Sequence, residues 1–354
     1  MSQSGGMGGG SGKDGKGGLG ASGNADGGSS NGGRGGETGA TGGTGNDTPG
    51  GAAGGGGEGA SPVDVPLPPA LTWTHERSPT LIVRALWGSG PNDLYAVGDG
   101  GMILHSTGDG TWSEQFPDTG AILTGVWSSG PEDVYVTADS NFVLHSAGDG
   151  MWEHQGVTSG TTFRDVWGAG PSRVFAVAGN GLMESDGSGS WKVNGVAPSS
   201  TITFRVWGSS ATDLYLGGAF TNTPTIYHSD GSGTWVPQSG SPKSTINDLW
   251  GADANHLYAA ASTTVYFSRG DGVWTPELTM EREQITAVWT IGPEAAYACS
   301  ADGMFMRSNG AGNWSEPERI DPSTSRVLNC SGIWGDTPTN LYVGTGYGIY
   351  HGTN

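Results

Sequence analysis

Two interleaved sets of seven Trp, a repeat close to 40 residues, and the lack of any helical apolar pattern predict an all-β fold. The expected architecture is a seven-bladed β-propeller of four-stranded blades. The first set follows an apolar residue in V-W-G-like settings: Trp87, Trp127, Trp167, Trp207, Trp250, Trp289 and Trp334. Their separations are 40, 40, 40, 43, 39 and 45 residues, and an aromatic stands eight residues after each, from Tyr95 to Tyr342. The second set is Trp73, Trp112, Trp152, Trp191, Trp235, Trp274 and Trp314, which completes the 14 Trp of the chain.

In chain order, the first element is not a blade. Residues 1–60 hold 28 Gly and almost no large apolar side chain. Such a stretch cannot bury enough surface to offset its ordering entropy, so residues 1–66 are expected to be a disordered tether, spanning roughly 40–45 Å as a Gly-rich coil. A phosphate-binding loop would need a flanking strand and helix, and neither is present. Residues 67–354 then form the propeller, long enough for one large core.

Within one unit the strands follow from local chemistry. AILTGVW is an apolar run, SSGPED a turn, VYVTA a β-branched and aromatic run, DSN a turn, FVLHS a third strand, GDG a turn, and MWEHQ a fourth. The ends complement each other. LTWTHE at 71–76 reads as a fourth strand with no blade before it, and the last unit stops after its third strand, GIYHGTN. The ring is therefore expected to close with an N-terminal strand in the C-terminal blade, which removes exposed sheet edges.

The third-to-fourth turns are STGDGTW, SAGDGMW, SDGSGSW, SDGSGTW, SRGDGVW and SNGAGNW, a shared S-x-G-x-G-x-W. This pattern resembles the Asp-box, or bacterial neuraminidase repeat, of sialidase-like propellers. It is one residue shorter and has Gly where the box has Asp. The resemblance implies that these turns lie on the face opposite a catalytic or binding face. The glycines supply the positive φ a tight turn needs, and the Trp packs between sheets with its indole N–H seeking a carbonyl. Six equivalent copies speak for architecture, and each turn offers too few carboxylates for Ca²⁺, so no metal and no cofactor is expected. By the same logic Asp93, Asp133 and Asp213 cap turns into the second strand, and His105, His145, His228 and His351 pack within or between blades.

Binding is expected on the face shared by second-to-third loops and fourth-to-first connections. Two insertions decorate it, LGGAFTNTPTIYHS and EPERIDPSTSRVLNC, which makes Phe220, Asn222, Arg319, Asp321 and Arg326 candidate binding residues. Arg84, Arg164 and Arg205, at or beside the third position before a Trp, add three of the chain's 11 Arg near one channel mouth. Sialidases clamp a substrate carboxylate with three Arg, but the Tyr–Glu pair, the Asp acid/base and the R-I-P setting are not matched, so no catalytic residue is assigned. These Arg also have the alternative of pairing with Asp165 or neighbouring carboxylates.

Cys299 and Cys330 fall toward one face in adjacent blades, which allows either a disulfide or two buried thiols. From residue 67 onward there are 12 basic and 28 acidic residues, net −16, which repels phosphate backbones. Nucleic acid is therefore not an expected partner, nor is membrane insertion, since no apolar run approaches 18 residues. The chain resembles bacterial exported or lipid-anchored proteins in which a Gly-rich tether carries VWGSGPNDLYAVG-type repeats, which implies an extracellular or cell-surface location. The expected function is a non-catalytic, monomeric propeller binding a glycan or protein partner. The alternatives are a glycoside hydrolase of the sialidase-like class and an assembly-factor scaffold similar to photosystem II assembly propellers.

Overall fold

A computed structural model describes residues 65–354 apart from 79, 158–161, 180, 197–201 and 220–224. Residues 1–64 of the expected tether lie outside the described residues, whereas Val65, at its end, accepts a hydrogen bond from Asn309 Nδ2 at 2.6 Å. The described residues form seven four-stranded antiparallel sheets. Blade 1 is typical: Val83–Gly90, Asp93–Gly98, Ile103–Ser106 and Ser113–Gln115, running from the axis outward. Blades 2 to 6 repeat it. Blade 7 takes its inner three strands from Cys330–Thr337, Asn340–Thr345 and Gly348–Thr353, and its outer strand from Thr72–Arg77. The closure expected from the two chain ends is what the fold shows, with Trp73 opposite Gly352 and His75 opposite Tyr350.

The repeat is maintained by three contacts. First, the inner Trp of one blade lies on the Gly that follows the inner Trp of the next: a Cβ added to Gly168 would sit 2.3 Å from the Trp127 ring, and one on Gly251 2.6 Å from Trp207. A larger side chain there would hold neighbouring blades apart, which explains the W-G pairing. Second, four of the outer Trp indoles donate across blade boundaries. Trp112 donates to Glu76 Oε2 (2.9 Å), Trp152 to Gln115 Oε1 (3.0 Å), Trp191 to Gln155 Oε1 (2.9 Å) and Trp314 to Glu277 Oε2 (3.2 Å). The expected carbonyl acceptor is thus replaced by a side chain, three residues after the preceding outer Trp.

Third, strands one to three of most blades are tied near the first turn. His105, His145 and His228 contact Asp93, Asp133 and Asp213 at 2.9, 2.8 and 2.7 Å. Each Asp also accepts a hydrogen bond from a Ser four residues earlier: Ser89, Ser129 or Ser209. The His rings lie on Tyr95, Tyr135 and Tyr215 at 4.5–4.6 Å. In blade 3 the polarity is reversed: Arg173 occupies the Asp position and pairs with Glu184 at 3.0 Å. These groups recur in blades 1 to 4, and in blade 7 as His351 and Asn340 at 2.7 Å, and serve the packing of the ring.

The S-x-G-x-G-x-W turns have a packing reason as well. Gly108 and Gly148 sit at φ +77° and +80°, where a Cβ would meet the Pro91 or Pro131 carbonyl at 2.1 or 1.9 Å. The third-to-fourth turn thereby nests against the first turn of its own blade, on the side of the ring away from the fourth-to-first connections. Ser106 Oγ accepts the Gly108 N–H (3.2 Å), and Asp109 Oδ1 that of Thr111 (2.9 Å). Their side-chain oxygens are committed to the turn itself.

Candidate binding recess at the channel mouth

The innermost strand of every blade carries a register shift three residues before its Trp, at Arg84, Thr124, Arg164, Phe204, Asn247, Thr286 and Ser331. A bulge places two consecutive residues against one on the partner strand and re-aims side chains. Seven bulges at one level build a polar collar around the axis at the end opposite the S-x-G-x-G-x-W turns. The collar encloses a recess of about 470 Å³ whose charged lining is Arg84, Arg164, Arg205 and Asp139, with Thr124, Asn247, Gln284, Thr286 and Ser331 between them. The three arginines singled out in the sequence are therefore brought together in one cavity.

Each collar group has a defined setting. Arg84 donates to both carboxylate oxygens of Asp99, from Nε at 2.7 Å and Nη2 at 3.2 Å. Thr124 donates to the Phe163 carbonyl (3.1 Å) and Asn247 Nδ2 to the Ile285 carbonyl (2.8 Å), each stitching its blade to the next. Below the collar a narrower space of about 80 Å³ is walled by Asp165, Arg205 and Asp248. Asp165 accepts the N–H groups of Val166 and Val206, both at 3.0 Å, and Asp248 those of Leu249 (3.0 Å) and Val288 (2.9 Å). Each carboxylate thus bonds its own strand and the inner strand of the following blade. Arg205 lies between them, its Nε 3.5 Å from Asp248 Oδ1. The channel ends on indoles: Trp250 stacks on Trp289 at 4.5 Å, and Trp87 meets both at 5.3 and 5.9 Å.

Burial pushes Asp165 up from 3.8 to about 6, opposed by the Arg205 charge and the Val206 N–H. Burial raises Asp248 as well, against the same guanidinium. A carboxyl whose folded pKa exceeds its unfolded value takes up a proton on folding, so its contribution is full below about pH 4 and is lost as pH rises to about 6. Urea midpoints measured from pH 4 to 7 should therefore fall across that window in the native chain, and the fall should be smaller in Asp165→Asn.

The other sequence candidates are elsewhere. Arg319 is exposed in the short outer strand Glu318–Arg319. Asp321 accepts from Ser323 and, at 3.1 Å, from the Tyr350 hydroxyl, and the Ser323 hydroxyl holds its carboxyl below the usual range. Arg326 lies over the Tyr347 ring at 5.4 Å. None of the three lines the recess. Phe220 and Asn222 lie outside the described residues. Cys299 and Cys330 form a disulfide, and Cys330 borders the recess. Sequence reasoning missed Asn247, Thr286 and Ser331. Their signal was the position three before each inner Trp, which had been read only where it held Arg. Asp248 was missed although it occupies the same place before its Trp as Asp165.

No protein-family model matches the chain, and no curated protein sequence matches it. Solved structures do. The chain is similar to virginiamycin B lyase from Staphylococcus aureus at 12% identity and TM-score 0.71, over 80% of this chain and 99% of that one. It is similar to YCF48 bound to a D1 peptide at 12% identity and TM-score 0.66, over 80% and 97%. The WD40 propeller domain of Doa1 matches at 13% identity and TM-score 0.61, over 81% and 96%. These neighbours include an enzyme and binding or scaffold proteins, and at such identities the likeness is one of fold: a propeller of seven four-stranded blades.

Proposed function

We propose that the chain is a non-catalytic binding module that receives an anionic segment of a protein partner in the collar recess. One observation carries this reading: on a chain of net charge −19 the collar brings Arg84, Arg164 and Arg205 to one recess, Arg84 paired with Asp99 and Arg205 with Asp248, and Asp139 the one carboxylate in the lining itself. A cavity of about 470 Å³ lies within the ordinary range for ligand sites and has room for a short peptide stretch. The collar amides and hydroxyls are suited to peptide N–H and C=O groups. YCF48, a neighbour with a bound D1 peptide, is a precedent on this fold for a peptide ligand. The two buried carboxylates, Asp165 and Asp248, are bonded to the backbone of two blades each, which suits stapling better than acid–base work. The Cys299–Cys330 disulfide favours an oxidising compartment, consistent with secretion or display at the cell surface. The S-x-G-x-G-x-W turns, on the far face, would serve as Asp-box-like architecture.

The test is a pair of arrays, acidic and amidated neutral peptides on one and uronate- or sialate-bearing glycans on the other, probed with the full chain. Acidic peptides should bind, and Arg164→Gln should weaken binding at least tenfold with an unchanged melting temperature. Selective glycan capture would replace the peptide reading. Turnover of fluorogenic sialosides or glucosides, lost in Arg164→Gln, would replace the binding module by a hydrolase.

A further inference from the structure

The rim of the recess is not uniform. The residue five before each inner Trp stands where the connection reaches the collar, and it is Ile82 and Ile122 in blades 1 and 2. In blades 3, 5, 6 and 7 it is Thr162, Thr245, Gln284 and Asn329, and in blade 4 it is again Ile, Ile202. Ile82 and Ile122 are exposed, and so are Leu81 and Phe116 on the same two connections, Phe116 at 81% of its surface. By contrast, the connections into blades 5 and 6 read SPKST and EREQ. Among the described residues, the exposed large apolar side chains on these connections gather over blade 1 and the entry to blade 2, with Val327 and Tyr347 on the adjoining blade 7.

Between them lies a surface almost without side chains. The second-to-third turn of blade 1 is Asp99-Gly100-Gly101, with φ of +65° and +77° at its glycines. A Cβ on Gly100 would be 2.9 Å from Leu81 Cδ1, so Leu81 borders the turn on one side. On the other, Gly100, Gly101 and Phe116 line a hollow of about 410 Å³ with residues 117–120. The Gly101 N–H is bonded to the Ala121 carbonyl (2.8 Å) and the Asp99 N–H to the Ile82 carbonyl (3.1 Å), so both flanking connections are fixed to this turn. The strip leads inward to the Arg84–Asp99 pair, and Arg84 and Ile122 already line the recess.

We infer that this strip is the outer half of the binding surface. It takes a bulky apolar side chain of the same partner segment whose acidic group enters the recess. The inference rests on the peptide reading above and adds the partner's chemistry: an extended segment carrying Leu, Ile, Met or Phe beside a carboxylate. Charge complementarity orients it, because Arg84, Arg164 and Arg205 line the recess while the strip carries no basic residue and has Asp118 at its outer end, its Asp99 being paired with Arg84. An apolar residue outward and an acidic one inward is the arrangement that satisfies both. Aliphatic Leu81, Ile82 and Ile122 suit a hydrocarbon side chain, and the side-chain-free Gly100–Gly101 turn lets a peptide backbone approach.

The experiment uses the full-length chain and a displayed library of random decapeptides. Enriched peptides should pair a bulky apolar residue with an acidic one. In the Leu81→Ser/Phe116→Ser double variant, both positions being exposed, the selected peptides should bind at least tenfold more weakly while the melting temperature stays unchanged. Arg164→Gln should weaken them to a similar degree. If Arg164→Gln weakens binding and the double variant does not, or enrichment is for acidic residues alone, the strip is overturned and the recess reading stands. If neither variant changes binding, or no peptide is enriched, both fail.

Discussion

Deleting residues 67–80 should lower the melting temperature by roughly 10–20 °C, the largest single effect expected in this molecule. The deletion removes Thr72–Arg77 from blade 7 and leaves the Gly348–Thr353 strand as an open edge. It also takes away Trp73, packed edge-on against Phe305 of blade 6 at 4.9 Å. Glu76 goes with it, the acceptor shared by the Trp112 indole and by His351 at 2.9 Å each. The Pro68 carbonyl, which holds the buried Arg307 guanidinium at 2.6 Å, is lost as well. One large aromatic is worth about 1.5–3 kcal/mol and each lost buried partner about 1–3, so a total on the order of 5 kcal/mol is reasonable. Differential scanning calorimetry decides it. A melting curve that does not move would show that the ring does not depend on this strand.

Trp250→Ala should cost about 3 kcal/mol, the second largest effect, because its ring is the hub of the channel floor. It stacks on Trp289 at 4.5 Å and meets Trp87 at 5.3 Å and Trp207 at 6.3 Å, bridging blades 1, 4, 5 and 6. No neighbouring side chain can collapse across the axis to fill that volume without leaving its own blade. Trp250→Phe, which keeps a ring, should recover more than half of the loss. Urea denaturation of both variants checks the prediction, and equal losses for Ala and Phe would mean that the stack carries no special weight.

The ring was legible in the sequence because its cause is repetitive. Trp on Gly between blades, a turn with two positive-φ glycines, and Tyr under His each recur at fixed spacing, in five, six and four blades respectively, so several copies report each contact. The orphan LTWTHE and the truncated last unit were legible for the same reason: each is what the other lacks. The collar was only partly legible. Arg84, Arg164 and Arg205 stood out as rare charges beside a Trp. Thr124, Asn247, Thr286 and Ser331 perform the same structural step with different chemistry, and a reading by residue type passes over them. Asp321 and Arg326 were singled out because their connection is long. Length marked the loop, but their partners, Tyr350 and Tyr347, hold them at the blade 7 periphery. The indole acceptors were mistaken for carbonyls because they come from the preceding repeat, and one repeat in isolation does not contain its neighbour's side chain.

A hydrogen-exchange footprint of the full chain with a library-selected acidic peptide tests the central claim most directly, since it reports where the ligand sits without presuming a residue. The recess and its rim should be protected: amides of residues 81–84, 117–125 and 162–166, around Arg84, Ile122 and Arg164. The third-to-fourth turns, at Gly108–Thr111 and Gly148–Met151, should exchange as in the free protein. Protection confined to those turns or to the outer strands would place the ligand on the opposite face and contradict the account.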